Sequence, residues 1–523
     1  MRQSDGPNRA DHVTNAMATD IRDGELLAAV DLGSNSFHLV VARYEHGSLR
    51  LIDRLRDSVR LAMGLQPDGS LEPERRERAL ACLSRFGQRL RALPHDRVHA
   101  VATNTVRRLA NPQTFLLPAE TALGHPIEIV SGREEARLIY LGVAHDLAHS
   151  NDRRLVVDIG GGSTEFIIGH GFDALETESL QMGCIASTLR FFGDGKYTLK
   201  RWRQAQTEIA VELQQFAADY RARGWGEAVG SSGTAKSIGH IVQANGWSEQ
   251  GISAESLARL RDAILEAGSI DKLRLAGLAE DRVQILAGGV AILEATFATF
   301  GLGQMAVCET SMREGLRYDL VGRAMHGDPR AGSIAALAAR YAVDRAQAMR
   351  VHHAALELFD QVADAWQLGG LERDLLGWSA DIHEIGLAIA HSLHHLHGAY
   401  IVANSDLAGF SRQGQQMLAA IIRSHRRKPD REAIDALPER LRATARRLTA
   451  LLRLAALLER ARTTEPMPAL HLAVEDRTLR LELPPGWLDQ HPLTRADLEQ
   501  ERDYIKILDL KLQVRTLEKA AAA

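Results

Sequence analysis

Two stretches of the chain align without a gap: VDLGSNSFHLVV, from Val30 to Val41, and VDIGGGSTEFII, from Val157 to Ile168. Each reads as an apolar strand that reaches an aspartate, turns through glycine and small hydroxyl or amide residues, and resumes as apolar chain. A hairpin alone accepts Asp, Gly, Asn and Ser, but a repeat at domain scale points to a duplicated fold. Glycine leaves backbone N–H groups uncovered, and successive N–H groups with serine hydroxyls make a concave anion site. Two such turns facing each other across a cleft would hold a chain of phosphates from both sides. Asp31 and Asp158 would repel those phosphates, and a divalent cation, usually Mg²⁺, resolves the conflict. A third glycine-rich turn, VGSSGTAKS, follows another apolar strand and carries Gly233 and Thr234.

Other charged residues invite the same chemistry. Asp158 and Glu165 lie seven residues apart around the GGGST turn, so extended chain on either side could bring both carboxylates near one metal. A carboxylate in an apolar strand without such a partner is costly. SGREEARLIYLG places Glu134 and Glu135 at a helix start with Arg133 and Arg137 nearby. Adjacent helical residues point in different directions, so at most one of the two faces a given site. TNTVRRL offers Arg107 and Arg108, and a planar, always charged guanidinium grips phosphate with two bonds.

The elements that must position these residues follow from pattern. Strand-like runs (LLAAVDL, FHLVVARY, RVHAVAT) alternate with helical ones between Leu26 and Leu138, and a second alternation runs from Leu155 to Tyr318. This is the mark of α/β layers. After Gly322 the periodicity turns helical, and the end of the chain reads as hairpin, helix and strand. The expected partition is a polar tail over 1–24, α/β domains over 25–138 and 139–322, an all-helical domain over 323–464 and a small α+β unit over 465–523.

With 523 residues the chain is too long for one core. A net charge of -4 argues against a general nucleic-acid binder, and three cysteines without metal spacing suit a reducing compartment. No stretch reads as a membrane span and the N-terminus does not read as a signal peptide, so a cytoplasmic protein is expected.

AAVDLGSNSFHLVVAR, VATNTVRRLANPQTFL, IEIVSGREEARLIYLGV, LVVDIGGGSTEFIIG, MGCIASTLRFF and GSSGTAKS together resemble the exopolyphosphatase and guanosine pentaphosphate phosphatase family, most closely its long-form exopolyphosphatases. ADIHEIGLAIAHS and AYIVANSDLAGF extend the resemblance into the helical part. It implies duplicated actin-like (ribonuclease H-like) ATPase domains, then an all-α domain resembling the HD phosphohydrolases and the small α+β unit. It further implies Glu135 as general base, Arg107 rather than Arg108 as the charge-neutralising arginine, and Asp158 and Glu165 serving Mg²⁺ with Asp31 as pseudo-symmetric helper. The phosphate cradle is then Ser34, Asn35, Gly161, Gly162, Ser163, Thr164, Gly233 and Thr234. Mg²⁺ is the expected cofactor, with K⁺ as a candidate stimulator, and a homodimer the expected assembly.

The leading expectation is processive removal of terminal orthophosphate from inorganic polyphosphate. The alternatives are hydrolysis of guanosine pentaphosphate and, in another class, an actin-like kinase or ATPase or a binding protein with a dead site. Intact acids speak against the last. In the helical part His383 is followed by Glu384, and Glu459 stands where the HD pattern has an aspartate, so a degenerate, non-catalytic HD fold is expected. His394, His395 and His397 are expected in a polar network or at a surface. Between Ile421 and Arg462 twelve Lys and Arg face five Asp and Glu. That excess suggests a basic channel for a polyanion, favoured by counterion release, with peripheral contact at a membrane surface as a further candidate.

Overall fold

The computed structural model describes residues 21–45, 48–147, 152–325, 328–462 and 469–516. Most of the polar tail expected over 1–24 lies outside them. Sheet 1 contains β1 (Leu26–Leu32), β2 (Phe37–Glu45), β3 (Ser48–Asp57), β4 (Val98–Ala102) and β5 (Ile127–Ile129), in the order β3-β2-β1-β4-β5. Sheet 2 contains β6 (Arg154–Ile159), β7 (Thr164–His170), β8 (Asp173–Leu180), β9 (Glu227–Ser231), β10 (Ile252–Ser253) and β11 (Gln304–Val307), in the order β10-β11-β9-β6-β7-β8.

The two sheets repeat one plan. Three antiparallel strands come first, and the first of them then takes a parallel partner reached through helices. The duplication extends to register. Asp31 faces His38 in sheet 1, and Asp158 faces Glu165 at the aligned place in sheet 2. Register slips between Val41 and Ala42 and between Ile168 and Gly169, again at aligned positions. A bulge kept in both copies is a feature of the fold rather than a defect.

β1, β6 and β7 are almost wholly buried, which explains their near-continuous apolar sequence. Between the sheets lies a shared core: Ala29 and Val101 from one, Val156, Ile167 and Val229 from the other, and Leu138, Ile139 and Leu316 from two helices. Those helices, Gly132–Asp146 and Met312–Met325, approach until glycine is required. A Cβ at Gly142 would overlap the Ser311 carbonyl, and one at Gly315 the Leu138 carbonyl.

One run does have the length and apolar content to cross a bilayer, contrary to expectation. Glu280–Phe300 reaches a mean hydropathy of 1.6, but 67% of that window is buried against sheet 2. It is placed as a core helix.

Helices fill 329–458, and β12 (His471–Glu475), β13 (Thr478–Leu483) and β14 (Lys511–Thr516) form a third sheet beside the Pro492–Ile507 helix. One apolar core runs through helices and sheet alike, from Val351 and Leu451 to Leu481 and Ile505. A buried Arg453–Glu501 pair, with the Ser424 carbonyl accepting from Arg453, fastens them further.

Candidate active site

The Asp31 and Asp158 turns meet at the mouth of the space between the sheets. A Cβ placed on Gly161 would lie 3.3 Å from Ser34 and 3.6 Å from Asn35, so the turns face each other at contact distance. Asn104 donates to Gln181 across the same gap (2.9 Å). The second turn is closed by Gly160 N–H to the Ser163 carbonyl (2.9 Å) and packs on the Cys184–Phe192 helix. The third turn enters from β9, where Ser232 takes φ +85°, a strained value for serine. Its hydroxyl accepts from the N–H groups of Thr234 and Ala235 in the first turn of the Ser232–Ala244 helix. Three turns, each dictated by local sequence, therefore converge.

The resulting cleft has about 150 Å³ of room and is lined by Asp31, Ser34, Asn35, Glu135, Asp158, Gly161, Ser163, Gly233 and Thr234 among others. Four expected residues are not in its wall. Thr164 is fully buried and its hydroxyl donates to the Met182 carbonyl (2.6 Å). Gly162 is packed on Asn104. Glu165 sits behind Asp158 and accepts from the Ser179 hydroxyl (2.9 Å). Arg107 stands behind Glu135, donating from Nη1 to Glu135 Oε2 (3.0 Å) and to the Val130 carbonyl (2.7 Å), while its buried Nη2 has no hydrogen-bond partner. Arginine and glutamate thus form a pair, with the acid toward the cleft. Thr234 lines the cleft, yet its hydroxyl donates to the Ile159 carbonyl (2.8 Å), so only part of it remains for a ligand.

Burial dominates the electrostatics. It pushes the Asp31 carboxyl well above the usual range, with Glu135 and Asp158 adding to the shift and Arg313 opposing it. Asp31 Oδ1 is buried without a hydrogen-bond partner. Burial raises Glu135 against the pull of Arg107, and raises Asp158 against hydrogen bonds from Ser231 and Ser311. Glu165 is pushed well up by burial, then by Glu135 and Asp158. Four buried acids are raised, Asp31 and Glu165 in part by Glu135 and Asp158, and those facing the cleft, one with an unpaired oxygen, are donors suited to a hard divalent cation. No group of three or more His, Cys, Asp or Glu among the described residues is drawn together as a finished metal shell.

Several contributors escaped the sequence. Ser311, whose hydroxyl donates to Asp158 Oδ2 (2.9 Å), and Arg313, which reaches His38 Nδ1 (3.4 Å), come from the far end of sheet 2. Arg282 also lines the cleft, close against Gly233. Their only sequence signal is a serine before a helix or an arginine near a helix start. His38 stands opposite Asp31 at the place aligned with Glu165. A larger cavity of about 490 Å³, lined by Arg91, His95 and His125, lies on the outer side of sheet 1 and contains none of these acids.

In the helical region His383, His394, His395 and His425 are buried with ring centroids 5.4–6.3 Å apart in the contacting pairs. The expected acids are engaged elsewhere: Glu384 by Arg462 (2.6 Å), and Glu459 near Arg350 (3.9 Å). The basic excess is also largely matched. Arg423, Arg431, Arg440, Arg446, Arg453, Arg460 and Arg462 all pair with carboxylates, six of them with carboxylates outside the 421–462 segment. Arg442 and Arg447 donate to backbone carbonyls and Arg426 to His394, which leaves Arg427 and Lys428 exposed as the basic surface suggested by composition.

Comparison with known proteins agrees with this architecture. The Ppx/GppA phosphatase family matches residues 40–324, and domain III of that family matches 330–502. Guanosine-5'-triphosphate,3'-diphosphate pyrophosphatase of Aeromonas hydrophila subsp. hydrophila is 39% identical over 485 residues, 92% of this chain and 97% of that protein. An exopolyphosphatase from Cytophaga hutchinsonii shares the fold at 23% identity and a TM-score of 0.52, over 58% of this chain and all of its own. An exopolyphosphatase-like protein does so at 22% identity and 0.51, again over 58% of this chain and all of its own. The duplicated sheets are the actin-like α/β fold.

Proposed function

The chain belongs to the Ppx/GppA phosphatase family, and from that premise we propose that it hydrolyses the terminal phosphoanhydride of guanosine pentaphosphate, with inorganic polyphosphate as the second substrate. The order reverses the one expected from sequence. Its support is the relative that matches nearly end to end, a guanosine-5'-triphosphate,3'-diphosphate pyrophosphatase by name. The observation that carries the chemistry is the meeting of three glycine-rich turns and Glu135 in one cleft.

Phosphoryl transfer needs positioning and charge stabilisation more than covalent chemistry. N–H groups and hydroxyls around Ser34, Asn35, Gly161, Ser163 and Gly233 would hold the phosphate oxygens. Asp31 and Asp158 would hold Mg²⁺, with Glu165 behind Asp158 steadying it. When bound, the ion neutralises charge on phosphate and carboxylates. Glu135 takes a proton from water whose oxygen attacks the terminal phosphorus. The anhydride P–O bond breaks, releasing orthophosphate and guanosine tetraphosphate. Arg107 favours the charged form of Glu135 against its burial and turns it toward the cleft. Nη1 of Arg107 is engaged by Glu135 and Val130, and its Nη2 is without a partner, for a phosphate oxygen to take.

The helical region is read as an HD-like scaffold without its own catalysis, supported by the capture of Glu384 by Arg462. The domain partition given above, K⁺ stimulation, a homodimer and a cytoplasmic setting belong to the same reading.

The test is orthophosphate release with Mg²⁺ from guanosine pentaphosphate and from long-chain polyphosphate. Faster release from the nucleotide, lost about 10²–10⁴-fold in Glu135→Gln, is expected. Preference for polymer would restore the exopolyphosphatase reading, and a fully active Glu135→Gln would remove Glu135 as base.

A further inference from the structure

The two glutamates that start the Gly132–Asp146 helix point opposite ways. Glu135 faces the cleft, whereas Glu134, 3% exposed, faces the helical region. Ser131 caps the helix by accepting from Glu134 N–H (3.1 Å), and a glutamate at this position ordinarily reaches back to its cap. Here the carboxylate engages distant groups. Gly409 N–H donates to Oε2 (2.8 Å), and Arg137 donates to both oxygens (2.8 Å each). Arg137 also pairs with Asp319 of the Met312–Met325 helix. Gly409 has φ +84°, and a Cβ there would press on Arg330 and Pro329, so glycine is needed to aim this N–H.

The same contact continues upstream. β5 is an edge strand of sheet 1. Against it lies the buried side chain of Gln413, which accepts from Ile129 N–H (2.9 Å) and donates to the Ile127 carbonyl (3.4 Å). One amide thus copies the hydrogen bonds of a neighbouring strand. Val130 and Ser411 then form an antiparallel bridge. Residues 127–134 are fastened to 409–413, and the fastening stops one residue before Glu135.

We infer that Glu134 and Gln413 are positioning residues, through which the helical region holds the Glu135 carboxylate against Arg107 and toward the cleft. The inference rests on Glu135 as general base. Displacement of a reacting group by about 1 Å can cost on the order of 10²-fold in rate, so a few hydrogen bonds at the root of this helix matter to turnover. Hydrolysis is thereby coupled to docking of the helical region.

The test uses the full chain, guanosine pentaphosphate and Mg²⁺. Glu134→Ala and Gln413→Ala should each lower kcat about 10–100-fold with KM within about twofold. The double variant should lose little more than the worse single one, since both act by one route. Glu134→Gln keeps an acceptor for Gly409 N–H and should recover most of the rate. Lower melting temperatures with unchanged kcat per folded molecule, or fully additive losses, would overturn the inference. If Glu134→Ala does not fold, Gln413→Ala decides, because it removes only neutral hydrogen bonds. An active Glu135→Gln sinks the base reading itself. An inactive Glu135→Gln beside wild-type kcat in both positioning variants sinks only the coupling.

Discussion

In both repeats an aspartate faces a titratable residue across the same hairpin, but the two pairs differ. Asp31 faces His38, and Asp158 faces Glu165. Burial and then Arg313 push His38 down to about 3, so it stays neutral, bonded to Ser36 (2.8 Å). Glu165 is pushed well up. Asp158 accepts from Ser311, whereas Asp31 keeps a buried oxygen with no partner. The copied backbone has been given unequal chemistry: the first hairpin offers one acid that lacks a partner, the second a reinforced pair of acids. Duplication fixes where carboxylates can stand; neighbours from elsewhere fix what each can do.

The largest expected effects come from removing the two aspartate charges. Asp31→Asn and Asp158→Asn should each lower Mg²⁺-dependent kcat/KM on the order of 10²–10³-fold. In Mg²⁺-free thermal melts they should part. Asp31→Asn removes a buried carboxyl lacking a bond at Oδ1, whereas Asp158→Asn also weakens the hydrogen bonds from Ser231 and Ser311, each about 1 kcal/mol. Asp31→Asn should therefore gain more in Tm, by a few degrees. Equal shifts would break the comparison.

Next come the facing residues. Glu165→Gln, acting from behind Asp158, should cost about 10–100-fold in kcat, but His38→Gln less than about fivefold. Equal losses would mean that both hairpins hold the cation alike.

The pH dependence sharpens the contrast through opposite signs. A carboxyl raised in the folded state holds its proton more tightly there, so its contribution is full below the ordinary carboxylate range and is lost as pH rises through the raised value. Asp31 and Glu165 follow this rule. His38 is lowered, so its contribution is present above the ordinary imidazole value and is lost as pH falls toward about 3. Melting curves should show Mg²⁺ stabilising more at about pH 8 than at about pH 5. His38→Gln should flatten only the acid side. A Mg²⁺ effect independent of pH would remove the raised acids from its binding.

The smallest effect separates cradle from scaffold. Thr164→Val loses only the bond to Met182, about 1 kcal/mol, and should leave kcat within about twofold. A tenfold loss would return Thr164 to the phosphate site.

Legibility followed distance along the chain. VDLGSNSF and VDIGGGST announced both turns because an aspartate, glycine and hydroxyls within eight residues are a local requirement, and both hairpins formed as read. Glu135 could be separated from Glu134 only through family resemblance. The structural reason, Glu134 turned toward Gly409, involves residues 275 positions apart. Thr164 carried the motif yet points into the protein, since strand alternation sends it away from the cleft. The basic run after Ile421 misled composition because its carboxylate partners, such as Asp497, Glu501 and Asp509, come from the terminal unit.

Sequence alone determined the strands, the duplicated turns, the helical change after Gly322 and the acids available, because periodicity and turn chemistry act over a few residues. Tertiary structure alone decided which oxygens face the cleft, that Arg107 stands behind Glu135, and that the helical region grips the root of the catalytic helix. Burial and long-range pairing set those outcomes, and both depend on which distant surfaces the folded chain brings into contact.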